Sequence, residues 1–240
     1  MTVKVTIVIP FYNDPYIVHA LESALSQTYG NIEIIVVDDG SSKYQELLWP
    51  YMNKIRYILK EHGGTGSALN QGFREAEGEY IAWLSSDDFF YRHKVELQLK
   101  AMFTSGAWIS HTAFNYIDKF GRVTDYLVSH AQSDTDLYQV FLRGNPVNGC
   151  TVMMRKALYN KVGPFDETLI FTQDLDFWYR VLLLGIPFLS LKQPLTAYRR
   201  HEKMGTLLHQ DDVMKEALYL YSKYEQQMTA LIYRNGIGTE

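Results

Sequence analysis

Gly78-Glu-Tyr-Ile-Ala-Trp-Leu-Ser-Ser-Asp87-Asp88-Phe-Phe90 decides how the rest of the chain is read. Tyr80 to Leu84 is apolar and bulky, the signature of a short buried strand. It runs directly into two adjacent acids. Carboxylates at the carboxyl end of a strand stand where open α/β sheets bind ligands. Two aspartates this close repel each other. A hard, oxygen-seeking cation such as Mg²⁺ or Mn²⁺ relieves that repulsion and also grips substrate phosphates. On its own, the pair equally fits a polar turn capping the next helix.

Working back toward the N-terminus, the same unit repeats. Val3 to Pro10 is β-branched and apolar, and Ile32 to Val37 and Ile55 to Leu59 read likewise as parallel strands. Helices are expected up to about Gln27, over Tyr44 to Tyr51, and from Ser67 to Ala76 after the glycine loop Glu61-His-Gly-Gly-Thr-Gly66. Strand and helix alternate over the first ninety or so residues, which predicts a parallel sheet with right-handed crossovers. Four strand-end stations then converge on one edge: Asn13-Asp14, Asp38-Asp39, Gly63 to Asn70, and Asp87-Asp88. Asp38-Asp39-Gly40 alone reads as a turn, and His62 as a solvated side chain.

Beyond Asp88 the rhythm changes. A helix over His93 to Phe103 is followed by a strand pair, Trp108 to Ile117 and Val123 to Val128. Leu137 to Leu142 is a short helix, Val147 to Met154 a strand, and Arg155 to Val162 a helix. Thr172-Gln-Asp174 introduces a helix over Leu175 to Leu184. Two short strands, Phe188 to Leu191 and Leu195 to Arg199, lead to Arg200-His201. From Asp211 to about Tyr233 an amphipathic helix is expected to dock on the domain. One domain over 1–240 is the economical reading: nucleotide-binding to about 90, acceptor and catalytic from about 91 to 205, and a helical extension from about 206 to 240.

Composition narrows the function. The chain has 240 residues, 47% hydrophobic and 21% charged, as in ordinary globular proteins. A net charge of -4 and a pI near 6.0 argue against a nucleic-acid partner. A lone cysteine, Cys150, suits a reducing cytoplasm, and its apolar context reads as a buried, inert thiol. The first apolar run is too short for a signal peptide, and no stretch approaches the ~20 apolar residues of a membrane span. Several motifs are absent: a P-loop, a G-x-S-x-G elbow, and the third glycine of G-x-G-x-x-G after Gly64-Thr-Gly66. Val37 stands where a D-x-D-G phosphatase needs its first acid. Phe11-Tyr-Asn-Asp-Pro15 lacks the Gly, Arg and Lys of a nucleotidylyltransferase loop.

Taken in order, the pieces resemble glycosyltransferase family 2, the inverting type with the GT-A fold. They are Thr6 to Asn13, Ser23 to Thr28, Val36-Val-Asp-Asp-Gly-Ser-Ser42, Asn70 through Glu77-Gly-Glu-Tyr-Ile81, Ser85-Ser-Asp-Asp88, Phe165-Asp166, Gln173 to Arg180 and Tyr198-Arg-Arg-His201. The resemblance implies an α/β fold with a mostly parallel central sheet flanked by helices, here with an added C-terminal amphipathic helix. It implies a nucleotide-diphospho-sugar donor, a glycan or lipid-linked glycan acceptor, and a divalent cofactor, Mn²⁺ or Mg²⁺. The product would be a cell-surface polysaccharide or glycolipid, made in the cytoplasm, with the inner membrane face and peripheral membrane association admitted.

By the same resemblance, Asp174 is the catalytic base. Pro10, Tyr12, Asp39, Gly66, Asn70 and Asp87 bind the nucleotide-sugar, and Asp88 and His201 hold the metal. The chain departs from the pattern twice: Ser85 replaces the first acid of the metal motif, and Gln173 replaces a Glu before Asp174. Those departures keep two alternatives open, a non-catalytic nucleotide-sugar binding protein and a nucleotide-sugar hydrolase. Asp174 at a helix start should be held ionised by the helix dipole. Asp176, two positions on, faces elsewhere and is expected to serve folding. Trp178 is read as core and Arg180 as a local ion-pair partner.

Overall fold

A computed structural model describes residues 3–129 and 134–234. The front half is β1 (Val5–Phe11), α1 (Ile17–Leu25), β2 (Ile32–Asp38), β3 (Arg56–Leu59), α2 (Gly64–Glu75) and β4 (Tyr80–Trp83). β1 lies between β2 and β4, β3 flanks β2, and all four run parallel. Side chains of β1 alternate between two cores. Ile7 and Ile9 pack with Ile17, Ala20 and Leu21 of α1, while Val8 packs with Leu69 and Phe73 of α2. Burial on both faces is why these strands read as unbroken apolar runs.

The back half continues with β5 (Phe89–Phe90), α3 (Lys94–Ser105), β6 (Ile109–Ile117), β7 (Val123–Val128), α4 (Asp134–Phe141), β8 (Met153–Arg155), α5 (Lys156–Val162), α6 (Gln173–Leu183), β9 (Leu189–Arg199), α7 (Gly205–Leu208) and α8 (Gln210–Arg234). The sheet order is β3-β2-β1-β4-β8-β6-β9-β5, with β7 paired to β6. β8 is antiparallel to both β4 and β6, and β9 is parallel to β6, so the front direction resumes beyond β8. Only β5, β7 and β8 oppose it among the described strands. The last six residues of the expected helical extension lie outside the described residues.

Helix α8 docks as expected, but on a face that differs in part from the apolar stripe read in the sequence (Val213, Ala217, Leu218, Tyr221, Met228 and Leu231). Leu218 is exposed, and Leu220 and Tyr224 are buried instead. Leu220, Tyr224, Met228 and Leu231 are buried. Asp176 of α6 accepts hydrogen bonds from Lys223 Nζ (2.9 Å) and the Tyr224 hydroxyl (2.7 Å), and pairs with Arg180 on its own helix. Burial works against the Asp176 charge, but Tyr224, Lys223 and Arg180 outweigh it and hold the carboxyl below its usual range. Trp178 is fully buried.

Several elements differ from the sequence expectation; the helix expected over Tyr44 to Tyr51, for one, is a 3-10 helix over Gln45–Tyr51. Val147 to Met154 is a strand only at its end, because Gly149–Thr151 form a short 3-10 turn. Gly149 is pressed on the Trp83 ring, where an added Cβ would lie 2.0 Å from a ring carbon. The two short strands expected near residue 190 are one strand, β9, whose register against β6 shifts at Pro194. Proline cannot donate to the ladder, so it marks an irregularity. Helix α2 starts at Gly64 rather than Ser67, so the glycine loop forms its first turn.

Gly72 sets how closely α2 approaches the sheet: a Cβ there would lie 2.3 Å from Val8 Cγ1 and 3.2 Å from Val37 Cγ2. Both neighbours belong to central strands and cannot swing away. Gly72→Ala is therefore expected to cost about 1–3 kcal/mol by overpacking. A urea midpoint unchanged from that of the unmutated protein would contradict this packing.

Candidate active site

A cleft of about 930 Å³ opens over the carboxyl ends of β1, β2 and β4. Pro10, Tyr12, Asp39, Asp87 and Asp174 line it, joined by Asp14, His62, Ser85 and Ser86. The expected strand-end stations thus meet at one edge.

Asp38 and Asp39 divide two tasks. Asp38 is buried and accepts from Ser41 N–H (2.7 Å), Gln45 (2.9 Å) and the Tyr57 hydroxyl. Burial opposes its charge, but those bonds win and hold its carboxyl low. Asp39 accepts from Gly63 N–H (3.0 Å) and Gly64 N–H (2.7 Å), and it pairs with Lys60 (2.7 Å) and His62 Nδ1 (2.9 Å). Three donors, Lys60 and the two glycine N–H groups, hydrogen-bond to the carboxylate, while His62 Nδ1 bonds to the Asp39 backbone carbonyl (3.1 Å). Asp39 therefore fixes the glycine loop while it lines the cleft. His62 is not merely solvated: its ring stacks on Tyr12 with centroids 4.1 Å apart, making an aromatic ledge beside Asp39.

The acid pair also divides. His201 Nε2 lies 3.1 Å from Asp87 Oδ2, so the carboxylate beside this histidine is Asp87, not Asp88 as the sequence suggested. Asp88 is fully buried. One oxygen accepts from Arg199 N–H (2.8 Å), and the other has no hydrogen-bond partner. Burial first, then the neighbouring Asp87 charge, push its carboxyl well above the ordinary range. Asp14 accepts from Ser86 Oγ (2.6 Å) and Tyr16 N–H (2.8 Å). Burial and Asp87 raise its pKa as well.

Surplus negative charge at the foot of the cleft, with an orphaned buried oxygen beside it, is a setting that a cation relieves. Among the described residues no group of three or more His, Cys, Asp or Glu is placed to hold one. Asp87 and His201 still fit Mg²⁺ or Mn²⁺, which commonly take one or two protein ligands and complete their shell with substrate phosphates and water.

Asp174 sits in the first turn of α6, partly exposed to the cleft. It accepts from Leu175 N–H (2.7 Å) and from Asn145 Nδ2 (3.0 Å). Burial raises its pKa to about 6, with the two hydrogen bonds pulling the other way. Burial, not the helix start, is the larger influence, yet a group with a pKa of about 6 is still mostly ionised at neutral pH, as expected. Gln173 is buried, and its Oε1 lacks a partner.

Two expected donor contacts lie off the cleft wall. Gly66 is buried where an added Cβ would meet Gln173 Cγ at 3.4 Å, so it lets the starts of α2 and α6 approach. Asn70 is fully buried with its amide spent: it donates to Phe165 O and Glu167 and accepts from Phe165 N–H and the Tyr159 hydroxyl. It clasps the turn before α6 rather than reaching a ligand.

Sequence reading missed four supports. Besides His62, they are Asn145 on Asp174, Arg199 behind Asp87, and Glu216. The Glu216 carboxylate, on α8, accepts from the N–H groups of Ile170, Phe171 and Thr172, each at 3.0 Å. It thereby fixes the approach to the helix that carries Asp174. Each partner is remote in sequence, so no local pattern could reveal it.

The family model described as "Glycosyl transferase family 2" matches residues 6–162. An uncharacterized glycosyltransferase of Rickettsia bellii is 37% identical over 84% of this chain, which spans only 30% of that protein. The chain thus covers under a third of that relative's length. The Escherichia coli UDP-Glc:alpha-D-GlcNAc-diphosphoundecaprenol beta-1,3-glucosyltransferase WfaP is 32% identical over 88% of this chain and 85% of its own. The crystal structure of S. aureus TarS 1-349 in complex with UDP superposes with a TM-score of 0.70 at 20% identity, covering 95% of this chain and 65% of that one. A complex of the same protein with UDP-GlcNAc gives a TM-score of 0.67, at 21% identity.

Proposed function

The chain belongs to glycosyltransferase family 2 and has the GT-A fold, and from that premise we propose that it is an inverting sugar transferase. It moves a sugar from a nucleotide-diphospho-sugar, a uridine nucleotide by analogy with its relatives, to a hydroxyl of a glycan or lipid-linked glycan. The product belongs to cell-surface glycan synthesis. The reading rests on one observation above the rest: a single cleft is lined both by Asp87, whose carboxylate meets His201, and by a second carboxylate, Asp174, raised to about 6.

In this reading the base leans on the Tyr12–His62 ledge beside Asp39. Asp87 and His201 face the diphosphate, and a divalent cation held there supplies charge neutralisation of the leaving group. Asp174 accepts the proton of the acceptor hydroxyl. The oxygen forms its bond to the anomeric carbon as the bond to the diphosphate breaks on the opposite side, so the configuration inverts. A base with a pKa just below neutrality is largely ionised at cytoplasmic pH yet still holds a proton well enough to take one. No helix among the described residues is long and apolar enough to cross a membrane.

Uridine diphosphate with Mn²⁺ should raise the Tm, since a ligand at ~100 times its Kd adds about 2.7 kcal/mol. In EDTA the shift should shrink or vanish. An equal shift in EDTA removes the metal from this reading, and no shift with any nucleoside diphosphate removes the donor.

A further inference from the structure

Asp174 stands between two ties to helix α8. On its N-terminal side, the Glu216 carboxylate accepts from the N–H groups of Ile170, Phe171 and Thr172 and from the Thr172 hydroxyl (2.9 Å). On its C-terminal side, Asp176 accepts from Lys223 and Tyr224 of the same helix. Thr172 and Asp176 thus bracket the base closely in sequence. Glu216 and Lys223 lie about two turns apart along one side of α8, with the buried Leu220 between them. Two ring contacts reinforce the ties. Phe171 stacks on His209, the residue before α8, with centroids 5.1 Å apart, and Tyr179 of α6 lies 4.7 Å from Tyr224.

The start of α6 does not hold itself. Thr172 is its N-cap, where a threonine oxygen ordinarily accepts from an N–H of the first turn. No side-chain cap forms here, and the hydroxyl donates to Glu216 instead. Glu216 Oε1 takes the N–H of Ile170, and Oε2 takes the other three bonds, so both oxygens are engaged. The turn that carries Asp174 therefore takes its place from α8. The same helix also lends Val213, Met214, Ala217 and Tyr221 to the cleft wall, so its seat sets how far water reaches Asp174.

We propose that α8 is a clamp on the catalytic base, with Glu216 and Lys223 as positioning residues that hold Asp174 at its angle to the acceptor hydroxyl and screen it from water. Neither residue lines the cleft, so neither is offered as a contact to substrate. The proposal rests on the transferase reading above and adds the part of the chain that keeps its base in place. A displacement of ~1 Å from the reacting geometry costs about 10²-fold in rate. The ionisable groups that the surrounding elements bring to this turn are Arg143 after α4, Tyr221, Glu216 and Lys223 on α8, and Asp176 with Arg180 on α6 itself. Asp87 and the other strand-end acids share the cleft. None of these bonds to Asp174, whose side-chain partner is the neutral Asn145. Hydration, rather than a paired charge, is therefore what α8 controls at the base.

The first arm of the test needs no acceptor. Asp174→Asn should raise the urea midpoint at pH 8 and leave it unchanged at pH 4, because burial penalises the ionised carboxyl. In a Glu216→Gln background that pH-dependent gain should fall by about half or more. Glutamine offers one acceptor oxygen and turns an amide against N–H donors, which frees the turn and admits water. Glu216→Asp keeps a carboxylate and should restore part of the gain. Leu231→Ala, at a buried position in the last turns of α8, should lower the midpoint through a cavity yet leave the gain whole, which separates position from stability. The second arm measures uridine diphosphate release from UDP-glucose and UDP-N-acetylglucosamine. Glu216→Gln should lower kcat at least about tenfold with donor KM unchanged, and should move the acid limb of kcat/KM to lower pH. If Glu216→Gln does not fold, Lys223→Met carries the same comparison at the other tie. An undiminished gain in the Glu216→Gln background, or an equal loss of it in Leu231→Ala, overturns the clamp and leaves the transferase reading intact. Absence of both nucleotide binding and donor turnover in the unmutated protein counts against the transferase reading, while the urea comparison still decides whether α8 holds Asp174.

Discussion

Asp174→Asn is expected to slow sugar transfer by about 10²–10⁴ while leaving donor affinity unchanged, the loss typical of a removed general base. The substitution keeps the shape and an acceptor oxygen for Leu175 N–H, but it cannot take a proton. It should also stabilise the fold above neutrality. Burial raises the folded pKa to about 6 from an ordinary value of 3.8. The folded protein therefore binds this proton more tightly than the unfolded chain does. The stabilising share of the protonated form is fully present below the ordinary value and is lost as pH climbs through about 6. At pH 8 the ionised carboxyl thus costs on the order of 1–2 kcal/mol, after discounting for its partial exposure to the cleft. Asparagine removes that cost, so the variant should gain at pH 8 and gain nothing at pH 4 in urea titrations. In the unmutated protein kcat/KM should rise through pH 6. Asn145→Ala, which deletes a bond favouring the ionised form, should move that limb to higher pH. Near-normal transfer by Asp174→Asn would remove Asp174 from the chemistry.

The parts of the fold that were legible in sequence are those whose causes are local. Val5 to Phe11 reads as a buried parallel strand because both of its faces meet apolar helices, which leaves no room for polar alternation. Helix α8 is legible as a helix because apolar positions recur at helical spacing, though which of them face inward is only partly so: Leu218 is exposed and Leu220 buried. Misread segments have remote causes. Gly149 turns under the ring of Trp83, and nothing around Val147-Asn-Gly-Cys150 announces that ring. The polar Lys192-Gln193-Pro194 looks like a break between strands, yet β9 absorbs it as a shift in register.

The candidate site divides in the same way. Motif spacing brought Asp39, Asp87 and Asp174 to one cleft, but it could not tell which oxygen faces a ligand. Asp39 ties its carboxylate to the glycine loop while it lines the cleft, and Asn70 looks away from the cleft because its helix turns that face to the Phe165 turn. His201 meets Asp87 rather than Asp88 because Asp88 has turned inward to the backbone of Arg199. Which of two adjacent acids turns inward depends on the strand crossing behind them, and that strand is β9, far along the chain.

Arg199 is that crossing point, and its loss should be the most damaging single change to the fold near the site. The side chain is fully buried. Its Nε donates to Asp87 O (2.7 Å), and Nη1 donates to Asp118 O (3.1 Å) and Lys119 O (3.2 Å). Its Nη2 donates to His19 Nδ1 (3.0 Å), an imidazole that burial and the guanidinium keep below the usual histidine range and hence neutral. The guanidinium also stands 4.4 Å from the centre of the Tyr16 ring. One planar group therefore joins the end of β4, the β6–β7 turn and α1. Arg199→Ala would leave several buried acceptors unpaired. The expected destabilisation is on the order of 3–5 kcal/mol. Arg199→Lys should recover only part of it, because a compact ammonium on a flexible stem cannot reach partners spread around a fork. Below its unfolding temperature the alanine variant should also bind uridine diphosphate with Mn²⁺ more weakly, since Asp87 loses the contact that fixes its backbone. Urea denaturation and nucleotide titration measure the two effects separately. A stability within about 1 kcal/mol of the unmutated protein, a typical surface-scale effect, would show that Arg199 is a passenger in the site rather than its support.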